Sequence, residues 1–420
     1  MPAFTRCISV ITECFQRGFP KPFIIHLKMV LWLRFGEYLT CGAIPINYRK
    51  ICRYKYSKAA DKRDTMNLRK HLNAFLAAAL VIVALLAIPW AKGPAQAGGD
   101  APPWKFAVIS DTQADRASTG MGLCINEKIV KAIAEDIVRE KPGLVLVSGD
   151  LVNGWLKNGG TGYAAQYAAW KKAMGPVYHA GIRVYPVRGN HDSGPERAAL
   201  PPLPLHLEPS PDTPAQLRKA FREAFAESGI PENGPPGEEG LTYSFEHRNA
   251  LFIGLDVYVV EHRVNQSWLD RRLAGNRNPL IFVFAHEPAF EKMHRDNLGF
   301  YPAGRDLFFE SIGRAGGGIY FCGHDHCYDR SLVRACGNEV WQIIAGTGGG
   351  NLRSSGKLGN GKKAKTKFSN ASYHGYVVVA VEGPKAVVSW KAIMKDDSAG
   401  AGAWRVLDSF IYSSSEQHVK

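Results

Sequence analysis

The feature that most restricts the fold is a series of short apolar segments, each ending directly on polar residues. The first is Lys105–Ser110, followed by Asp111, and similar segments recur along the chain as far as Cys322. Segments of this kind are typical of strands buried on both faces of a sheet, and stretches with helical periodicity separate the first three. Alternating strands and helices predict βαβ units and therefore an α/β fold.

The predicted elements extend over most of the chain beyond residue 104. Strands are predicted at residues 105–110, 144–148, 183–187, 242–246, 250–256, 280–285, 318–322, 340–345, 376–381 and 386–392. Helices are predicted at residues 126–140, 163–180 and 214–228. Residues 193–240 hold many prolines and are interpreted as an inserted cap or long loop. Residues 346–370 are rich in Gly, Lys and Ser, which predicts a mobile loop.

The positive charge of the chain is concentrated near its start. The net charge is +14, and residues 1–65 alone hold 12 Lys and Arg against four Asp and Glu. Residues 66–97 add three basic residues and no acidic ones, so the sequence from residue 98 onwards is nearly neutral. A nearly neutral domain does not predict an electrostatic surface for nucleic acid, and no nucleic-acid partner is expected.

Residues 66–97 have the order of regions found in a secretory signal peptide. Met66 is followed by a basic stretch at residues 69–71, an apolar run at residues 74–88 and small residues ending on Ala97. This order predicts export to a periplasmic or extracellular location. Two alternatives stay open: a buried core helix, and an uncleaved anchor over residues 74–91, which would tether the protein to a membrane.

A signal peptide normally begins the chain, whereas this one is preceded by residues 1–65. That segment is basic, rich in cysteine and without clear periodicity. We therefore predict that it is a non-native or disordered extension and that synthesis begins at Met66. A genuine cytoplasmic extension before a signal anchor is the alternative. Residues 98–420 then form the main domain.

Five polar motifs follow predicted strands. They are Asp111-Thr112-Gln113, Gly149-Asp150, Gly189-Asn190-His191-Asp192, His286-Glu287-Pro288 and Gly323-His324-Asp325-His326. Ligands of α/β proteins gather at the carboxyl ends of the strands, so these motifs are expected to converge. Their carboxylate, amide and imidazole groups suit Zn, Mn or Fe. One such motif alone is often a simple turn, and it is the series of five that predicts a shared metal centre.

The order of these motifs resembles that of calcineurin-like metallophosphoesterases, over about residues 105–331. Residues 323–331 and the Gly346-Thr347-Gly348-Gly349 stretch are most similar to purple acid phosphatases. The resemblance implies a two-sheet α/β/β/α sandwich and a binuclear centre of divalent or trivalent ions. It further implies that a hydroxide bridging the two ions attacks a phosphate ester, which would be the substrate.

The resemblance also implies a ligand set. The residues concerned are Asp111, Gln113, Asp150, Asn190, His286, His324 and His326. Asp150 would bridge the two ions, Asp111 and His326 would complete one site, and the remaining amide and imidazoles would complete the other. His191 would face the substrate and protonate the leaving group. Asp192 either orients His191 or is a turn residue.

Two positions depart from the family pattern. Gln113 stands where the family usually has histidine, and an amide oxygen binds metal more weakly than imidazole. Asn153 stands where purple acid phosphatases have tyrosine, so no iron–tyrosinate colour is expected. The alternative functions are a cyclic or nucleic-acid phosphodiesterase with the same site, and a non-catalytic metal- or phosphate-binding protein. A structural zinc protein would favour Cys ligands, which the motifs lack.

The main domain contains four cysteines, and export would place them in an oxidising compartment. They are Cys124, Cys322, Cys327 and Cys336. Four cysteines allow three complete pairings. We favour a Cys327–Cys336 disulfide in a hairpin whose near strand is residues 330–333, and we interpret Cys322 as a buried free thiol.

Overall fold

The computed structural model describes residues 102–114, 124–154, 162–194, 213–290, 293–353, 363–394 and 403–414. All of them belong to one compact unit, Gly93–Lys420. The predictions for residues 1–65 and for the signal peptide or anchor lie outside the described residues. Within the described ranges, no helix combines the length and the apolar character needed to cross a membrane.

The strands include every one that the sequence predicts. In chain order they are β1 (Trp104–Ile109), β2 (Leu144–Ser148), β3 (Arg183–Val187), β4 (Tyr243–His247), β5 (Ala250–Gly254), β6 (Leu280–Phe284), β7 (Gly318–Cys322), β8 (Tyr328–Ala335), β9 (Asn338–Ala345), β10 (Ala364–Asn370), β11 (Gly375–Glu382), β12 (Lys385–Ile393) and β13 (Trp404–Ser413). The helices are α1 (Glu127–Glu140), α2 (Tyr163–Ala173), α3 (Gly175–His179), α4 (Asn190–Ser193), α5 (Pro214–Ala224), α6 (Gln266–Ala274) and α7 (Pro302–Arg314).

The described strands form two sheets. The first has the order β13-β12-β11-β1-β2-β3, in which β1, β2 and β3 are parallel. The second has the order β10-β8-β9-β7-β6-β5-β4, in which β5, β6, β7 and β9 are parallel. Within each sheet the carboxyl ends of the parallel strands therefore meet at one edge, where the polar motifs begin.

Alternation along β1 shows how the layers form. Phe106 points between the sheets, where its ring lies 5.2 Å from Phe252 and 4.8 Å from Phe282. Ile109 points the other way, into a core that also contains Ile133 of α1. Successive side chains of a strand point to opposite faces, so one strand serves both cores.

Helices cover the outer face of each sheet. Helices α1, α2, α3 and α5 pack on the first sheet, while α6 and α7 pack on the second through residues such as Leu269 and Phe308. The architecture is therefore the predicted α/β/β/α sandwich.

Two helix predictions were too long. The predicted helix 163–180 is divided at Met174 into α2 and α3, because Pro176 in the first turn of α3 cannot continue a preceding helix. The predicted helix 214–228 ends as α5 at Ala224 and is followed by a short 3-10 turn, Ala226–Ser228. Strands β10 and β13 and helices α6 and α7 were not predicted.

The prediction of a mobile loop at residues 346–370 was wrong for its described parts. The backbone N–H of Gly348 donates to Ser110 O at 3.0 Å, and that of Gly350 donates to Asp111 O at 2.7 Å. Residues 364–370 form β10, which pairs with β8. The Gly-rich composition suggested a mobile loop, but the small residues are needed here because the backbone packs closely beside Asp111.

The favoured Cys327–Cys336 disulfide is also wrong. The predicted hairpin exists as β8 and β9, but Cys327 directly precedes β8 and Cys336 directly follows it. The residues between them form one extended strand, so their separation is on the order of 30 Å, far beyond disulfide reach. Cys322 is a buried free thiol, as predicted, and Cys336 is exposed and free.

The described part of the Pro-rich segment belongs to the outer helix layer. Phe221 of α5 packs edge-on against Tyr167 of α2 at 5.8 Å, and Phe225 packs against Trp170 at 5.8 Å. Residues 195–212 lie outside the described residues. The interpretation of residues 193–240 as an insertion stays a prediction.

Candidate metal centre

The predicted metal ligands converge from two different layers. Asp111, Asp150 and Asn190 follow β1, β2 and β3 of the first sheet. The histidines His286, His324 and His326 follow β6 and β7 of the second sheet. The oxygen donors therefore come from one sheet and the imidazoles from the other, and they meet at the shared edge.

The backbone turns sharply where these side chains enter the site. Asp111, Asp150 and His324 have positive φ angles of 56°, 51° and 68°. Non-glycine residues adopt this left-handed region infrequently, and such strain concentrates at functional sites. Each of the three follows its strand by a single intervening residue, so the left-handed turn redirects its side chain towards the other sheet.

Two glycines permit the close approach. Gly149, which precedes Asp150, has a φ of 89° and faces the His286 ring, where a Cβ would lie 2.5 Å from Nδ1. At Gly189 a Cβ would lie 2.0 Å from Asp150 Oδ1. Any larger residue at either position would displace a candidate ligand.

One group of contacts surrounds Asn190. Its Oδ1 lies 3.0 Å from His286 Nε2 and 3.0 Å from His324 Nδ1. His286 Nε2 also lies 3.3 Å from Asp150 Oδ2. We call Asn190, His286 and His324 the asparagine half-site.

A second group surrounds Gln113. Its Nε2 donates to Asp150 Oδ2 at 2.9 Å and lies 3.2 Å from His326 Nε2. His326 Nε2 lies 3.5 Å from Asp111 Oδ1. We call Asp111, Gln113 and His326 the glutamine half-site. Asp150 contacts both half-sites, so all seven predicted ligands form one continuous set of side chains.

In each imidazole, the nitrogen that faces away from the centre lies near an oxygen atom. His286 Nδ1 lies 2.9 Å from Ser148 O, and His326 Nδ1 lies 2.9 Å from Asn351 O. A carbonyl only accepts, so in both rings Nδ1 carries a proton, and Nε2 is the nitrogen that faces the centre and would bind a metal ion. His324 presents Nδ1 instead, and its Nε2 lies 3.5 Å from the Asp296 carboxylate. Such outer partners orient histidine ligands.

The electrostatics of the centre favour positive charge at His286, next to Asp150. Burial, with the charge of Asp150 adding to it, raises the pKa of Asp111 to about 6. Burial acts to lower the pKa of His286, but the Asp150 carboxylate outweighs it and raises that pKa to about 10. Burial also acts on Asp150, whose pKa is nevertheless held below its usual value by His286 and His191. Asp150 thus favours positive charge at His286, whereas burial lowers the pKa of His326 to about 3.

Two further observations indicate that these residues are suited to bind metal ions. An oxygen of Asp111, an oxygen of Asp150 and a ring nitrogen of His286 lie within 4.8 Å of one another. Gln113 Oε1 is buried and has no hydrogen-bond partner among the described residues, although buried polar atoms are nearly always satisfied. Carboxylate, amide and imidazole donors together match a transition-metal or zinc site.

His191 lies beside the centre. Its backbone N–H donates to Asp150 Oδ1 at 2.9 Å, and its Nδ1 lies 2.7 Å from Asn153 O. Nε2 is 3.9 Å from Asp150 Oδ2, and burial lowers the pKa of the ring. Asn153, noted in the sequence as a departure, thus contributes a backbone carbonyl that orients His191.

Asp192 is a turn residue rather than an orienting group for His191. Its Oδ2 accepts from the backbone N–H groups of Gly189 at 2.8 Å and Leu151 at 3.2 Å, and its Oδ1 accepts from Tyr167 at 3.3 Å. These contacts hold the loop that carries Asn190 and His191. Of the two interpretations left open by the sequence, the turn is the one that the described contacts support.

A buried ion pair that the sequence analysis missed supports the same loop from behind. Arg188 Nε and Nη2 donate to the two Asp256 oxygens at 2.6 and 3.0 Å. Both side chains are buried, and they join the end of β3 to the end of β5, so the pair connects the two sheets. The partners are 68 positions apart, and neither belongs to a recognisable motif, which left no sequence signal.

Residues around Asp296 form a wall of the centre. The His294 ring lies 4.6 Å from the His324 ring and 6.2 Å from the His326 ring. His294 Nε2 lies 3.2 Å from the exposed Arg353 Nη1. The role of Asn351 and Arg353 was not predicted, because the segment that carries them had been interpreted as a mobile loop.

A two-sheet sandwich with mixed oxygen and imidazole donors at its edge is the architecture of metallophosphoesterases. Residues 105–328, more than half of the chain, match the family described as calcineurin-like phosphoesterase. The chain belongs to this family, which confirms the resemblance found in the sequence. No curated protein sequence matches the chain.

Solved structures show the same fold. Purple acid phosphatase PPD1 from yellow lupin (Lupinus luteus) seeds is similar with a TM-score of 0.52 and 17% identity, over 74% of this chain and 54% of that one. PhoD is similar with a TM-score of 0.51 and 15% identity, over 76% of this chain and 71% of that one. The chain therefore spans little more than half of the lupin phosphatase. At these identities the likeness establishes the fold.

Proposed function

We propose that the protein hydrolyses phosphate esters with two metal ions. The proposed ligands are Asp111, Gln113, Asp150, Asn190, His286, His324 and His326. The observation that carries the proposal is the continuous contact among these seven side chains, with Asp150 common to both half-sites. A shared carboxylate is what a pair of ions close together requires.

The donor types limit the identity of the ions. Three imidazoles with carboxylate and amide oxygens suit Mn, Zn or Fe. In the glutamine half-site, rotation of the Gln113 amide by 180° would exchange Nε2 and Oε1 and present the oxygen to a cation. When bound, a metal pair lowers the pKa of water towards neutrality and offsets the negative charge of the phosphate.

His191 is proposed as the proton donor to the leaving group. Because Asn153 O holds Nδ1–H, a second proton can be gained only at Nε2, the nitrogen next to Asp150. The negative charge of a bound phosphate favours the protonated ring, whereas burial opposes it. Because burial destabilises the protonated ring, the Nε2 proton is easier to transfer to the departing ester oxygen.

A substrate and metal survey tests the proposal. The protein, stripped with chelator and reloaded with Mn²⁺, Zn²⁺ or Fe, is assayed on chromogenic phosphate monoesters and diesters, and its metal content is measured. We expect two ions per chain and hydrolysis that disappears with the metal. Two bound ions without turnover of any ester would favour a non-catalytic metal- or phosphate-binding protein. Turnover of diesters alone would favour the phosphodiesterase alternative.

We further propose that residues 66–97 export the domain and that residues 1–65 are not part of the mature protein. The support is the sequence order alone, since these residues lie outside the described part of the chain. Mass spectrometry of the protein from fractionated cells tests both points. Peptides from residues 1–65 in the mature protein would contradict the proposed start at Met66.

A further inference from the structure

A carboxylate–imidazole pair lies next to the metal centre and has no part in the proposed chemistry. Glu287 directly follows His286, is buried, and its Oε1 lies 2.8 Å from His262 Nδ1. Its other oxygen has no hydrogen-bond partner among the described residues. The backbone N–H of His262 donates to Val257 O at 3.0 Å, which fixes the turn that carries the ring.

An exposed aromatic ring lies beside this imidazole. The Phe300 ring is 5.4 Å from the His262 ring, and 61% of Phe300 is exposed. Phe300 packs edge-on against Tyr301 at 5.1 Å, and the Arg263 guanidinium lies 3.8 Å above the Tyr301 ring. These neighbours hold Phe300 in place while leaving much of it open to solvent.

Asp296 connects this pair of rings with the centre. Its carboxylate lies 3.5 Å from His324 Nε2 and interacts electrostatically with His262 as well. His262 thus contacts the carboxylate that directly follows His286, and Phe300 lies on the same segment as Asp296, the neighbour of His324.

We propose that His262 and Phe300 form a subsite for the leaving group and that it favours esters whose leaving group carries a planar aromatic ring. The inference rests on the proposed function, because it places the phosphate at the metal centre. Phe300 supplies an exposed face for an aromatic ring, and His262, with Nδ1 held by Glu287, presents Nε2 to a polar atom of the same group. Aromatic pairs have geometric preferences that alkyl groups do not satisfy.

Binding of two phosphonates separates this inference from catalysis. Phenylphosphonate and methylphosphonate share the phosphonate head and differ in the ring, and neither is hydrolysed at a P–C bond. Their affinities for the Mn²⁺-loaded protein are measured by calorimetry. We expect phenylphosphonate to bind roughly three- to tenfold more tightly, and Phe300→Ala to remove most of this preference.

Two more variants complete the test. His262→Gln retains a donor for Glu287 but lacks the ring, and we expect it to reduce the preference while circular dichroism stays unchanged. Ile411→Ala removes a similarly exposed apolar side chain from β13 and should leave the preference intact. Equal affinities in the unchanged protein, or a preference that survives Phe300→Ala, would overturn the subsite.

The outcomes also distinguish this inference from the proposed function. A phenyl preference that depends on Phe300, in a protein that hydrolyses no ester, would support the subsite and contradict the hydrolase. Hydrolysis without any phenyl preference would support the hydrolase and overturn the subsite.

Discussion

The two half-sites of the candidate centre differ in how well their donors suit a cation. In the asparagine half-site, Asn190 Oδ1 already faces the two imidazole nitrogens that would bind the ion. In the glutamine half-site, Gln113 turns its amide Nε2 towards Asp150 and His326, and its oxygen is buried without a partner among the described residues. The first arrangement is ready for a cation, whereas the second requires an amide to rotate.

This difference indicates that the two proposed ions would not be held equally. An amide oxygen is a weaker donor than imidazole, and rotating Gln113 exchanges two satisfied contacts for one new bond. The asparagine half-site should therefore fill at lower metal concentration. Substitutions at Asp150 and His191 test the centre as a whole and have the largest expected effects, and those at Gln113 and Asp296 test this inequality.

Asp150→Asn should remove the one charge that the half-sites share. We expect loss of both ions and a fall in activity of more than about 10⁴-fold, because the Asp150 carboxylate lies against donor atoms of both half-sites. Metal analysis and ester hydrolysis measure the two effects. Asp270→Asn, on the exposed surface of α6, is the matched control and should change neither. Full activity of Asp150→Asn would contradict the site assignment.

His191→Ala should leave both half-sites filled while lowering kcat by roughly 10²–10⁴-fold, the usual contribution of a general acid. The loss should be smaller for nitrophenyl phosphate than for an alkyl phosphate, because nitrophenolate leaves without needing a proton. Steady-state kinetics on the two esters measure it. Equal losses for both leaving groups would exclude the proposed acid role.

Gln113→His and Gln113→Ala should change the glutamine half-site in opposite directions. The histidine variant supplies the imidazole that the family usually has, and we expect its weaker metal affinity to rise by about tenfold or more. The alanine variant should keep one ion per chain and lose the other. Calorimetric titration with Mn²⁺ resolves the two sites. If both variants titrate like the unchanged protein, Gln113 is not a ligand.

Asp296→Asn should weaken the asparagine half-site alone. The carboxylate lies 3.5 Å from His324 Nε2, and removal of an outer partner of a histidine ligand typically reduces metal affinity by roughly 10- to 100-fold. We expect the lower end of that range, because Asp296 is largely exposed. The same titration measures it, and an effect on the glutamine half-site instead would contradict the assignment of His324.

Most of the fold could be predicted from the sequence because buried strands have a strong local signal. Strand β2 and strand β7 were predicted at their observed bounds, since each is a continuous apolar run ending at a glycine. Helices α6 and α7 were missed because polar residues and an initial proline obscure their periodicity. Strand β10 alternates exposed and half-buried residues at a sheet edge, which leaves little apolar pattern to detect.

The residues of the candidate site also divide into those that the sequence could reveal and those that it could not. Residues within motifs, such as Asp111 and His326, could be identified because several motifs recur at strand ends. Arg188, Asp296 and His262 could not, because each acts through a partner far away in the chain and has no motif of its own. The failed Cys327 disulfide has a related cause, since a separation in sequence does not tell whether the intervening residues fold back or run straight.

The meeting of oxygen donors from one sheet with imidazoles from the other has a consequence for the whole molecule. Ions held there would act as cross-links between chain positions as far apart as Asn190 and His286, or Asn190 and His324, which are separated by 96 and 134 residues. A link that closes a loop of this length restricts the unfolded chain more than the folded one. Ion loading should then control resistance to heat and to proteolysis across both layers, so that a cell poor in the right metal would lose the protein itself as well as its activity.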